Sequence, residues 1–333
     1  MRRTLITLSI AVATSVTMFA PAASHGAAAA TTTWPVKIFS VSTTPSNIAP
    51  SLANTYVSGL SARFSWSRIQ PSSGSYNWAP IDDAIAKARA AGKLAMIRVM
   101  AGMYTPSWVL SQVKTLTFSN QYLWGSNAAS ATLPIPWDTT FLSLWKNFIT
   151  QFGKRYDGNA TIYSVQIAAG GMTGEMTLPT DVQKWLNAGY TDTKYANSWD
   201  TVIDAFRAAF PHTPINLDFD EPFGASLLKT NVASPVVSYA TVAGTKKAFV
   251  QNNGLRPDML GRMGPYRTIV RSVSPVTTVG YQMIGDARSA QALKDSFTVA
   301  VQDQVGYVEV YGSDVLDSAN QPALKYLASG GVG

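Results

Sequence analysis

The 333-residue chain has no cysteine, and its only histidines are His25 and His212. Without cysteine there are no disulfides, so packing alone must hold the fold. The same shortage excludes a Cys/His zinc centre. Long basic runs are missing too: lysines and arginines are scattered beyond pairs such as Lys246-Lys247, which argues against a nucleic-acid surface. The formal charge of +7 falls to about +5 once Arg2 and Arg3 are set aside. There is no Gly-x-Ser-x-Gly elbow, and Ser65, Ser67 and His212 do not assemble into a triad. No Asp-x-Asp-x-Asp-Gly calcium loop is present. Internal repeats are absent.

What is present begins with a leader. Met1-Arg-Arg precedes an apolar stretch from Leu5 to Ala20 and then the small residues Ala22 to Ala30. Basic start, apolar middle and small-residue end read as a secretory signal peptide. The apolar stretch is too short for a membrane anchor. Residues 1–30 are therefore expected to be a signal, 31–35 a linker, and 36–333 a single domain. Apolar residues make up 46% of the chain, enough for one large core.

Across that domain, short apolar runs alternate with amphipathic ones. Strands are expected at Val36–Val41, Leu60–Trp66, Leu94–Met100, Ile162 onward, Pro214–Asp220, Asp258–Met263, Thr277–Ile284 and Gly306–Tyr311. Helices are expected at Ile81–Ala91, Phe141–Tyr156, Trp199–Phe210 and Ala290–Gln302. Eight strand–helix alternations without a break predict an α/β fold of the (β/α)8 TIM-barrel type. A doubly wound sheet is the other arrangement, but its glycine-rich phosphate turn is missing. Long polar stretches at Ser111–Pro136 and Leu178–Asn197 are expected to be loops that wall a cleft.

The run Ile162-Tyr-Ser-Val-Gln-Ile-Ala-Ala-Gly-Gly-Met-Thr-Gly-Glu-Met176 places Glu175 just past the end of a strand, where such barrels carry their chemistry. The other strand ends add Trp66, Arg98, Gln166, Asp218, Asp220, Arg262, Gln282, Glu309 and Tyr311, with Tyr104 and Trp108 close behind strand three. Aromatic rings stack on the apolar faces of sugars, while amides and charged groups bond hydroxyls. Glycoside cleavage needs two carboxyl groups, one holding a proton and one ionised. Glu175 is the candidate general acid and Glu309 the candidate nucleophile or base. Asp218 and Asp220 share one strand face and stand in reserve for the second role. Glu309 also has a second reading, as a buried glutamate paired with arginine.

Phe64-Ser-Trp-Ser-Arg-Ile-Gln-Pro71, Gly74-Ser-Tyr-Asn-Trp78, Ile81-Asp82, Ala91-Gly92-Lys93 and Pro106-Ser-Trp108 occur in an order that resembles the N-terminal barrel region of clan A glycoside hydrolases, family 42 β-galactosidases above all. The resemblance covers about a sixth of the chain and implies a barrel whose acid/base carboxylate follows strand four, where Glu175 stands. Two features depart from it. The Asn-Glu pair of that family is replaced by Gly170-Gly-Met-Thr-Gly-Glu175, which looks more like the approach to a glutamate in β-amylases. The clan's nucleophile lies at strand seven, where this chain has Gln282. The expected function is that of a secreted glycoside hydrolase acting on an extracellular or cell-wall polysaccharide. A carbohydrate-binding barrel without catalysis is the other reading. No cofactor or metal is called for, the expected partner is carbohydrate alone, and the chain is expected to be a monomer without a membrane span.

Overall fold

The computed structural model describes residues 34–41, 45–123, 128–223, 227–285, 287 and 289–332, apart from the side chains of 45 and 259–262. The expected signal lies outside the described residues. Eight parallel strands close into a barrel in sequential order. They are β1 (Lys37–Val41), β2 (Gly59–Ser65), β3 (Leu94–Met100), β4 (Ile162–Ile167), β5 (Ile215–Asp218), β6 (Phe249–Leu255), β7 (Val279–Met283) and β8 (Tyr307–Tyr311). One principal helix follows each: α1 (Pro45–Ala53), α2 (Ala79–Ala90), α3 (Thr139–Tyr156), α4 (Asp192–Ala209), α5 (Ala233–Ala240), α6 (Leu260–Val273), α7 (Ala290–Gln302) and α8 (Gln321–Ala328). This is the expected TIM barrel.

β4 ends at Ile167, ahead of the glycines expected to break it, which leaves Glu175 beyond the strand end as expected. One strand differs from expectation. The sixth strand is Phe249–Leu255, whereas Pro257–Met259 is a short 3-10 turn leading into α6. Asp258–Met263 is therefore not a strand, and Arg262 sits in the first turn of α6 and not on a barrel strand. Among the described residues no helix is long and apolar enough to cross a membrane.

The shell between strands and helices is the apolar core. α3 shows why these helices form. Asp138 caps it by accepting from the Phe141 amide at 2.9 Å, and Phe141, Trp145, Phe148, Ile149 and Phe152 form its buried stripe. Inside the barrel the lining changes with height. Phe39, Met96 and Tyr307 fill the bottom together with Leu94, Tyr163 and Phe249. Gly280 is required there, since a side chain at its position would run into the Tyr307 ring. Above them the inward positions turn polar: Ser61, Asn216, Gln251 and Glu309, then Arg98, Gln166, Asp218 and Gln282, all buried.

A second buried ion cluster ties helix to strand. Asp303, between α7 and β8, accepts from Arg267 Nε at 2.7 Å, Arg271 Nε at 2.7 Å and the Tyr281 hydroxyl at 2.8 Å. Burial pushes its carboxyl pKa up, but these donors outweigh burial and hold it below the ordinary range. A depressed pKa contributes stability above the unfolded value and loses it as pH falls through the folded one. Asp303→Ala is expected to cost about 3 kcal/mol near neutrality, the lower end for a broken buried pair because both arginines reach solvent. Urea unfolding at a series of pH values should show that difference shrinking below about pH 4.

Candidate active site

The β3 and β4 ladders open the C-terminal mouth of the barrel around one guanidinium. Arg98 is buried on the inner face of β3, opposite Arg63 of β2 in register. Its Nη1 meets Glu175 Oε1, its Nε donates to Gln166 Oε1, and its Nη2 lies 4.0 Å from Asp218 Oδ2. Asn253, on β6, donates from Nδ2 to the same Asp218 oxygen. Glu309 lies deeper. It accepts from Ser61 Oγ and from Gln251 Nε2 at 2.8 Å, with Arg63 Nη2 at 3.5 Å from its Oε2. Arg63 Nη2 also donates to Gln282 Oε1, joining β2 to β7.

The glycine-rich segment after β4 delivers Glu175. Gly174 adopts φ +86°, its amide donates to the Gly171 carbonyl at 3.1 Å, and its carbonyl accepts from the Ala169 amide at 2.9 Å. Gly171 passes so close to the Glu175 carbonyl that no side chain fits there, and Gly102, in turn, abuts the Gly171 carbonyl. The Met103 amide bonds the Met172 carbonyl at 2.9 Å, fastening the segment to the β3 loop. The Glu175 side chain retains 20% exposure while Glu309 has none.

Electrostatics separate these groups. Burial works against the charge of Arg98, but Glu175, Glu309 and Asp218 outweigh it and raise its pKa further. Asp218 is pushed well above the usual carboxylate range, first by burial and then by Glu175, with Arg98 opposing. Asp220 is raised to about 6, chiefly by burial, while hydrogen bonds from Tyr266 and the Glu221 amide pull the other way. Glu221 faces elsewhere, capping α5 through the Val232 and Ala233 amides. Arg63 Nε, Arg98 Nη2 and Gln166 Nε2 are buried donors without a hydrogen-bond partner among the described residues.

Arg98, Gln166, Glu175, Asp218, Gln282 and Glu309 thus gather in the barrel, with Asp220 at its rim. Glu309 sits below the mouth, enclosed by its donors, and does not face open space across from Glu175. Trp66 is elsewhere. It leaves β2 to start a short helix, lies fully buried, and packs against Trp145 at 4.7 Å and Phe148 at 5.7 Å. Its indole donates to Gln70 Oε1 at 2.8 Å, so it has no face left for a sugar. Trp108 meets Trp66 edge-on and donates to the Gln70 carbonyl at 3.1 Å. Tyr104, in the 3-10 turn after β3, and Tyr311, at the end of β8, remain partly exposed. The Arg262 side chain lies outside the described residues.

The loops expected to wall a cleft pack on each other. A hairpin of Thr115–Ser119 with Ser130–Pro134 stands on the β3 side, and the short helix Val182–Asn187 on the β4 side. Phe118 stacks on Trp185 at 5.1 Å, and Lys184 Nζ donates to the Thr117 carbonyl at 2.8 Å. Residues absent from the sequence reading are Ser61, Arg63, Gln251, Asn253 and Tyr266. Phe249-Val-Gln-Asn-Asn253 shows no apolar–polar alternation, so no strand signal marked Gln251 and Asn253.

Removing the buried cation leaves its carboxylates unbalanced. Arg98→Met is expected to lose about 3–5 kcal/mol near neutral pH. The deficit should narrow as acid completes protonation of Asp218, whose pKa burial raises, which thermal unfolding from pH 7 to pH 4 can follow.

Residues 49–208 match the family model described as β-galactosidase of glycoside hydrolase family 42. No curated protein matches the chain. Among solved structures, the catalytic domain of β-amylase from Paenibacillus polymyxa is similar in fold, with a TM-score of 0.62 at 9% identity, covering 90% of this chain and 98% of that one. With the closed eight-strand barrel, these matches show a chain of the TIM-barrel fold that carries a glycoside hydrolase family 42-type region over residues 49–208.

Proposed function

We propose that this protein is exported and hydrolyses glycosidic bonds of an extracellular or cell-wall polysaccharide with two carboxyl groups, Glu175 being one. The observation that carries the reading is the placement of Glu175: just beyond β4, partly exposed, ion-paired with Arg98, and beside the buried carboxyl of Asp218. Such a reaction needs two carboxyl groups in unlike environments. Glu175 meets a cation, whereas Asp218 meets mainly burial and other acids.

Further features support a sugar ligand. The unpartnered donors Arg63 Nε, Arg98 Nη2 and Gln166 Nε2 suit hydroxyl oxygens, since a buried donor costs free energy until an acceptor meets it. The loops after β3 and β4 build a wall suited to a polymer, and the leader at the N-terminus supports export. Tyr104 and Tyr311 are the partly exposed aromatics nearest the strand ends and are the candidates for stacking.

The second reading, a binding barrel without catalysis, is favoured by Gln282 on β7 and by the complete enclosure of Glu309. Incubating the purified chain with plant, fungal and bacterial cell-wall glycans decides between them. Release of reducing ends from one polymer, lowered on the order of a thousandfold in Glu175→Gln, is the expected result. Retention of a glycan by both proteins with no cleavage by either would establish the binding barrel instead.

A further inference from the structure

The top of the barrel holds two guanidiniums, Arg63 and Arg98, and three carboxyl groups, Glu175, Asp218 and Glu309. Fully ionised, this set carries one surplus negative charge in a site almost closed to water. Uncompensated charge there is costly, and the group with the poorest partners is the one that takes up a proton. The partners identify it. Glu309 receives Ser61, Gln251 and the nearby Arg63. Glu175 takes the direct ion pair with Arg98. Asp218 receives only a neutral amide, from Asn253, and Arg98 Nη2 stops 4.0 Å short of it. Its Oδ1 accepts no hydrogen bond among the described residues. The charged groups acting on Asp218 are Glu175, Arg98, Asp220 and Glu309, three acids against one base. Asp220 is the weaker candidate, because Tyr266 and the Glu221 amide already serve its carboxylate.

We propose that Asp218 is the proton donor of the glycosidase reaction and Glu175 its nucleophile, reversing the role that the strand-four position implies for Glu175. This rests on the glycosidase reading above. As the bond between the anomeric carbon and the leaving oxygen breaks, that oxygen takes the Asp218 proton. The free Oε2 of Glu175 supplies the electron pair for the new bond to the anomeric carbon, while Oε1 stays on Arg98. Water then displaces Glu175 from the sugar, leaves its hydroxyl on the anomeric carbon and returns one proton to Asp218. Asn253 and Arg98 are positioning residues, one aiming Asp218 and the other Glu175.

Two measurements test the assignment. In the full chain labelled with carbon-13 at the aspartate side-chain carboxyls, one resonance should still report a protonated acid near pH 7 and be missing from Asp218→Asn. A resonance lost in that variant that titrates in the ordinary carboxylate range would overturn the proposal, and this needs no substrate. With the polysaccharide that is cleaved, Asp218→Asn should fall on the order of a thousandfold, yet stay within about tenfold on an aryl glycoside whose acidic phenol leaves without protonation. Glu175→Gln should lose both activities. The opposite pattern, with Glu175→Gln spared on the aryl glycoside, returns the donor role to Glu175. If the wild-type chain cleaves no glycan, the glycosidase reading fails, and the labelled carboxyls report separately which group holds the proton.

Discussion

One buried cation organises the mouth of this barrel. The effective cost of taking an ion such as Arg98 out of water is several kcal/mol, so its surroundings must supply charge and hydrogen bonds in compensation. They do so from four directions: Gln166 on β4, Glu175 from the loop beyond it, Asp218 on β5 and Glu309 from below. A barrel of this class is usually filled with branched apolar side chains. Here the upper half is filled with amides, acids and two arginines, and the aromatic layer of Phe39, Tyr163, Phe249 and Tyr307 closes the bottom. The apolar floor keeps water out from beneath and strengthens every charge interaction above it.

The network reaches around the barrel through side chains two residues apart on each strand. Ser61 and Arg63 project from β2, Gln251 and Asn253 from β6, and each pair serves both a deep acid and a shallow one or its partner. Gln251 donates to Glu309 and to Asn253 Oδ1, while Asn253 donates to Asp218. Displacing one amide therefore disturbs two carboxyl groups at different depths. Position of the loop acid depends on backbone instead. Gly171 and Gly102 allow two chain segments to touch, and that contact sets where Glu175 begins its side chain.

Much of the architecture could be read in the residues. Leu94–Met100 and Ala290–Gln302 match the expected elements residue for residue, because their periodicity is uninterrupted. β6 was hidden since Gln251-Asn-Asn-Gly254 has the composition of a turn, and only closure of the barrel makes it a strand. The inward direction of Glu309 was legible from alternation, but its depth was not. Depth depends on register against β1 and β7, where it pairs with Phe39 and Gln282. Trp66 escaped for another reason. One residue past the end of β2 the chain turns outward, and the aromatic stripe of α3 captures the ring. Strand ends are where the period of two stops giving side-chain direction.

The family 42 match ends at residue 208, and the division of the site follows it. Arg63, Arg98, Gln166 and Glu175 lie within the matched region, whereas Asp218, Gln251, Asn253, Gln282 and Glu309 lie beyond. A half that presents one acid on an arginine constrains what the other half can offer, since surplus negative charge in a closed site has to be neutralised by proton uptake. An amide at β7 in place of an acid, and an acid on β5 with one neutral donor, satisfy that constraint together. Gln282 accepts from Arg63 without adding charge, and Asp218 becomes the group on which the unbalanced charge falls. The amide at strand seven and the raised pKa of the strand-five acid thus answer one electrostatic constraint, on a barrel whose first half keeps a family 42 pattern.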